Sequence, residues 1–151
     1  MIALKPILVE LESHAMGLGV FERVNSHEPA NAPRTGIHSA IWLESLVRGR
    51  AMSGLAATTG VLVFNNRLYS NLQQEPRDDI DIGMLDALNA LLEAYSADFT
   101  LGGLVRQVDL LGQSGTSLAA HAGYVKQSDQ MLRVMTITVP LIVNDLWDQA
   151  P

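Results

Sequence analysis

Residues 124–143 read YVKQSDQMLRVMTITVPLIV, and the alternation in the second half of this stretch decides the fold. Met131, Met135, Ile137, Val139, Leu141 and Val143 share one parity, interrupted only by Arg133, while Thr136 and Thr138 fall on the other. Successive side chains of a strand point to opposite faces, so a period of two predicts a long strand with one buried face. Pro140 cannot donate to a ladder, which places this part of the strand at an edge or a bulge.

Upstream the period changes. Met84, Leu85, Leu88, Leu91, Leu92 and Tyr95 form an apolar stripe at helical spacing, with Asp86, Asn89 and Glu93 directed away. Glu75, Pro76, Arg77, Asp78 and Asp79 supply turn chemistry and then carboxylates, which suit a helix N-terminus and predict a start near Asp81. Leu4, Ile7, Leu8, Leu11, Ala15 and Leu18 predict a second helix over 3–16, with Pro6 in its first turn and Gly17 and Gly19 at its end. Strands are expected at 20–24, 40–48, 59–70 and 104–111, the second and third as an antiparallel pair. Within 40–48, Ile41, Leu43, Ser45 and Val47 oppose Trp42, Glu44, Leu46 and Arg48. Pro29, Pro33 and Gly36 make a long loop of residues 26–38, and the small residues between Gly112 and Gly123 read as a second, mobile loop. These elements make one domain, 1–151, with two main helices and four to five strands.

Composition narrows the function. The chain has 151 residues, 48% hydrophobic and only 17% charged, against roughly 25% charged in typical soluble domains. So apolar a surface is expected to meet other chains. Ten Lys and Arg against sixteen Asp and Glu give a formal charge of −6, which argues against a protein that coats nucleic acid. The absence of cysteine excludes disulfides, thiol nucleophiles and Fe–S ligation. Lys5, Glu10 and Glu12 break the first apolar stretch too early for a signal peptide, and no run reaches the roughly 18 residues of a membrane span. A soluble chain made without processing, with no membrane partner, is the expectation.

Motifs of catalysis are missing. His14, His27, His38 and His121 lack metal-binding spacing, so a metal site would have to be assembled by tertiary structure. The carboxylates Asp78, Asp79, Asp81 and Asp86 lack the EF-hand pattern and read as a solvated helix start. Gly115-Thr116-Ser117-Leu118-Ala119 lies between the wrong elements for a nucleophile elbow, and Gly17-Leu18-Gly19 follows a helix where a dinucleotide fingerprint follows a strand. No catalytic residue, cofactor site or metal ligand is assigned. With two widely separated tryptophans, stacking platforms are not expected, and Trp42 reads as core or interface.

Several phrases together resemble the tail terminator proteins of long-tailed bacteriophages, most closely those infecting actinobacteria. They are Ala40-Ile41-Trp42 leading into Ser53-Gly54-Leu55-Ala56, Val63-Phe64-Asn65 with Arg67-Leu68-Tyr69, and Asp98-Phe99-Thr100-Leu101-Gly102-Gly103 with Val108-Asp109. Arg133-Val134-Met135 through Val139-Pro140 to Val143-Asn144-Asp145 completes the set, which covers nearly the whole chain. The resemblance implies a compact α+β domain, a mostly antiparallel sheet of four to five strands with two main helices packed against it, six copies of which close a ring on the head-proximal end of the tail tube. Such a ring stops tube growth and forms the head-tail joining surface; no enzyme chemistry or cofactor is implied. Its partners would be its own copies, the tail tube protein and the head-tail connector proteins, with DNA passing through the lumen unbound. Its place would be the tail or neck of the virion, after assembly in the host cytoplasm.

On this reading the candidate ring or tail-docking contacts are Arg48, Arg50 and Leu55 around the strand break, Arg133 on its apolar strand face, and Trp147 near the C-terminus. Related roles stay open, because connector (stopper or adaptor) and tail-tube proteins share related folds. A tube protein is expected to bring long stacking hairpins, whereas the long insertions here, 26–37 and 112–123, read as loops. A different class, a small hydrolase-type enzyme, would need Ser117, His121 and a carboxylate such as Asp81 brought together by the fold. A third is an oligomeric adaptor unrelated to phage.

Overall fold

The computed structural model describes residues 2–29, 33, 35–49, 57–72, 78–127 and 129–148. The order of elements is α1 (Lys5–Gly17), β1 (Arg23–Asn25), β2 (His38–Arg48), β3 (Ala57–Asn71), α2 (Asp78–Ala97), β4 (Gln107–Val108), β5 (Ala119–Gln127) and β6 (Gln130–Asp148). The class is α+β: a curled six-stranded sheet in the order β1-β2-β3-β6-β4, with β5 also paired to β6, and two helices. The sheet is mixed, since β1 runs parallel to β2 while every other pairing is antiparallel.

The alternating stretch forms the middle of this sheet. Met135, Ile137, Val139, Leu141 and Val143 are buried on the face that also carries Leu62, Phe64 and Leu68 from β3. Both helices cover that face. Ile7, Leu11 and Ala15 of α1 and Ile80, Met84, Ala87, Leu91 and Tyr95 of α2 are buried against it. Each large side chain so buried contributes roughly 1.5–3 kcal/mol, which makes the amphipathic stripes the main reason these helices form. The opposite face holds a smaller cluster of Ala40, Tyr69, Leu132 and Val134, flanked by Trp42 and Val125.

Pro140 does not lie on an edge strand. β6 is paired with β3 along one side, and on its other side the partner changes: β5 matches 130–138, and β4 matches 141–142. Pro140 sits between these two partners, where its carbonyl accepts the Asp109 N–H at 2.9 Å. The amide and carbonyl of a strand residue point to the same side, so the missing N–H falls in the gap between β5 and β4.

Three further expectations are corrected. Residues 119–123 are strand, not loop, because β5 and β6 form a hairpin whose turn holds Asp129 at φ 61°. The argument against a tube protein from absent hairpins falls with that loop. Second, a bulge between Leu43 and Ser45 inverts the parity of β2, so Leu46, opposite Leu62, shares the face of Ile41, and Val47, opposite Val61, takes the other. Third, β4 is only two residues long, since residues 99–106 turn through positive-φ Leu101, Gly102 and Gly103 before reaching β6. The helix expected near Asp81 begins three residues earlier, at Asp78.

At the far end of β6 a second irregularity, between Thr58 and Gly60 of β3, is accompanied by Asp145 at φ 54°. It carries Leu146 over Gly60, where an added Cβ would lie 2.4 Å from Leu146 Cδ2. The missing Cβ of Gly60 lets Leu146 pack closely there.

One polar chain crosses the core. Ser39 Oγ donates to Asn66 Oδ1 at 2.6 Å, Asn66 Nδ2 donates to Tyr95 Oη at 2.9 Å, and Tyr95 Oη donates to the Leu11 carbonyl at 3.3 Å. All four residues are fully buried, and the chain ties β2 and β3 to both helices. Burial pushes the Tyr95 hydroxyl far above its ordinary pKa, so it remains a neutral donor.

Candidate functional site

The features without a role in the core lie along the rim of the sheet. Among the described residues, the outer edge of β2 beyond Ala40 and the outer edge of β5 pair with no strand. These two edges stand at opposite sides of the strand order. Along the β2 edge Leu43, Leu46 and Val47 are exposed; Tyr124 and Met131 are exposed on the β5–β6 hairpin.

On the β5 side, where β4 and β5 both pair with β6, lies the connection from β4 to β5, built on one carboxylate. Asp109 is 1% exposed, yet it is fully partnered. Its Oδ1 accepts the N–H groups of Gly112 and Gln113 at 3.1 and 2.9 Å, and its Oδ2 accepts the Ser114 N–H at 2.7 Å and the Ser114 hydroxyl. Its carbonyl accepts the Leu118 N–H. Burial works to raise the Asp109 carboxyl, but the hydrogen bonds from Ser114, Gln113 and Gly112 outweigh it and hold the group below the usual carboxylate range. Gly112 takes the turn at φ 81° that these bonds require. The cage closes a segment that displays Leu111, 87% exposed, at its tip. Leu110 and Phe99 flank it around a shallow cavity of about 250 Å³. The composition of 112–118, rich in Gly and Ser, gives no hint of this order; Asp109 followed by Gly112 and Ser114 is the signal that locates it.

The sequence-derived residues fall as follows. Arg48 and Trp147 meet, with the guanidinium 5.3 Å from the ring centroid, at the end of the sheet where β2 meets β3 and β6. Arg50 and Leu55 lie outside the described residues. Arg133 is engaged within the chain: its Nε donates to Asp81 Oδ1 at 2.9 Å, its Nη1 donates to the Gly123 carbonyl at 3.1 Å, and it stacks 4.6 Å over the Tyr124 ring. It pins the start of α2 to the β5–β6 hairpin.

Asp81, His121 and Arg133 line one groove of about 330 Å³, together with Leu85, Leu88 and Met135. Ser117 is not among its lining residues, and no hydrogen bond joins Ser117 to His121 among the described residues. Ser117 instead packs against the Gly112 turn. Among the described residues, no helix is long and apolar enough to cross a membrane. The sequence matches no protein-family model and no curated protein.

Proposed function

We propose that this chain is a ring-forming structural subunit of the tail-terminator type, which caps the head-proximal end of a phage tail tube and presents the head-joining surface. The observation that carries the reading is the pair of unlike open strand edges, β2 beyond Ala40 on one side and β5 on the other. A subunit with two different adhesive sides associates head to tail, and such contacts close into a ring when the rotation between copies permits. An exposed apolar edge is otherwise an aggregation hazard, so its retention on β2 fits a surface that is covered in the assembled state. The Asp109 cage adds a pre-ordered apolar tip, and a contact that is already rigid loses little entropy on docking. The formal charge of −6 suits a lumen that lets DNA slide without binding.

Capping follows from geometry in this reading: the ring buries the last polymerising surface of the tube and offers a different surface outward. One observation favours a second role. The β5–β6 hairpin is long enough to serve ring-on-ring stacking, as expected of a tube-related protein. Mixing the purified protein with purified tail tubes and added tube protein, followed by negative-stain imaging, separates the two. The terminator reading predicts density at one tube end and arrested elongation. Self-assembly of the chain into filaments would identify a tube-related protein, and bare, still-growing tubes would end the terminator reading.

A further inference from the structure

Glu10 and His14 are one turn apart on α1, and Asp98 is the residue that follows α2. The fold brings them together across 84 positions of sequence: His14 Nε2 lies 2.8 Å from Asp98 Oδ2 and 3.9 Å from Glu10 Oε1. The three ligand atoms all fall within 4.8 Å of one another. The side chains are partly buried, His14 at 21%, Asp98 at 32% and Glu10 at 36% exposure, so the cluster is partly accessible to ions from solvent.

Two of the three ligands are held in place by neighbours. The His14 ring stands edge-on to Tyr95, with centroids 5.8 Å apart and planes at 89°. Tyr95 is itself fixed by Asn66 and the Leu11 carbonyl. Asp98 Oδ1 accepts the Gly102 N–H at 3.0 Å, which leaves Oδ2 directed at His14. Supporting bonds of this kind orient a metal ligand before the ion arrives.

The local field favours a cation. His14 is in the last turn of α1, and Asp98 directly follows the last residue of α2. Two helix C-termini, each carrying a partial negative charge, therefore converge on two carboxylates.

The geometry points to a divalent transition-metal site formed by Glu10, His14 and Asp98, with water completing the coordination. One imidazole nitrogen with two carboxylate oxygens suits Zn²⁺ and its first-row neighbours, whereas Mg²⁺ and Ca²⁺ prefer oxygen alone. A bound ion would replace the proton of the 2.8 Å His14–Asp98 hydrogen bond and lie off the line between the two atoms, since each metal–ligand bond needs about 2.0–2.2 Å. It would clamp α1 to the end of α2. The site is independent of the ring reading.

Isothermal titration of the full chain with ZnCl₂, with MgCl₂ in parallel and thermal unfolding alongside, tests this. The expected result is one Zn²⁺ per chain and a higher unfolding temperature with Zn²⁺ than with Mg²⁺. His14→Ala should abolish saturable uptake, and Asp98→Asn should weaken it by at least about tenfold, the lower bound for loss of a supporting group around a metal. Should His14→Ala fail to fold by circular dichroism, Asp98→Asn and Glu10→Gln carry the test. His27, His38 and His121 remain in every variant and report adventitious binding. Absence of saturable uptake, or uptake unchanged in the variants, would overturn the site and leave an ordinary ion pair.

Discussion

Two buried polar constellations in this domain do opposite work. The Ser39–Asn66–Tyr95 chain is neutral, lies between sheet and helices, and serves the core it crosses. The Asp109 cage is charged, lies at the rim, and serves a loop that shows a leucine to solvent. Both are fully satisfied, as buried polar groups must be. The difference shows where the fold invests order for its own stability and where it invests order in a surface. Four hydrogen bonds to one buried carboxylate fix a loop rich in Gly and Ser, and in the proposed assembly the same bonds serve to display Leu110 and Leu111.

The largest effect should come from breaking the core chain. Asn66→Ala leaves the Ser39 hydroxyl without its acceptor and the Tyr95 hydroxyl without its donor partner, in a site with no access to water. Unfolding in urea should show a loss of about 3–4 kcal/mol with an unchanged slope. A loss below about 1 kcal/mol would mean that the chain is not holding the helices to the sheet.

Asp109→Asn should act more locally. The amide keeps one acceptor but presents N–H groups to backbone N–H donors, costing about 2 kcal/mol. Hydrogen exchange should rise at Gly112, Gln113, Ser114 and Leu118 while Ile137 and Leu141 stay protected. The sign of the acid response follows from the lowered carboxyls of Asp109 and Asp98. Each binds fewer protons folded than unfolded near its unfolded value of about 3.9, so its contribution is present above that pH and is lost as pH falls through the folded value. The Asp109→Asn variant should lose less stability than the parent on acidification across that range.

The smallest effect on stability is expected at Leu111. Its side chain contacts little within the chain, so Leu111→Asp should change stability by no more than about 0.5 kcal/mol. Its effect should appear in assembly alone.

The core was legible and the rim was not, for physical reasons. Burial on one face leaves a period in the sequence, so the β6 alternation and the α2 stripe announced themselves. The β5 strand did not, because Ala119, Ala120, Ala122 and Gly123 have weak strand preference and owe their conformation to pairing with β6. The Glu44 bulge was hidden because an inserted residue is invisible to a parity count. Of the site, Arg48 and Trp147 proved to be neighbours, whereas Arg133 turned out to be tied to Asp81, Gly123 and Tyr124 within its own chain. The Asp109 cage depends on backbone N–H directions, which no composition encodes. The Glu10–His14–Asp98 cluster depends on two helix ends meeting, of which only the one-turn spacing on α1 is local.

Native mass spectrometry of the parent chain and of Leu111→Asp, across a range of protein concentration, tests most directly the claim that the rim is an assembly surface. A closed ring of the parent, near six subunits, and a folded monomer of the variant under the same conditions are expected. Rings of equal yield from both chains, or a parent that stays monomeric at every concentration and ignores tail tubes, would contradict that claim.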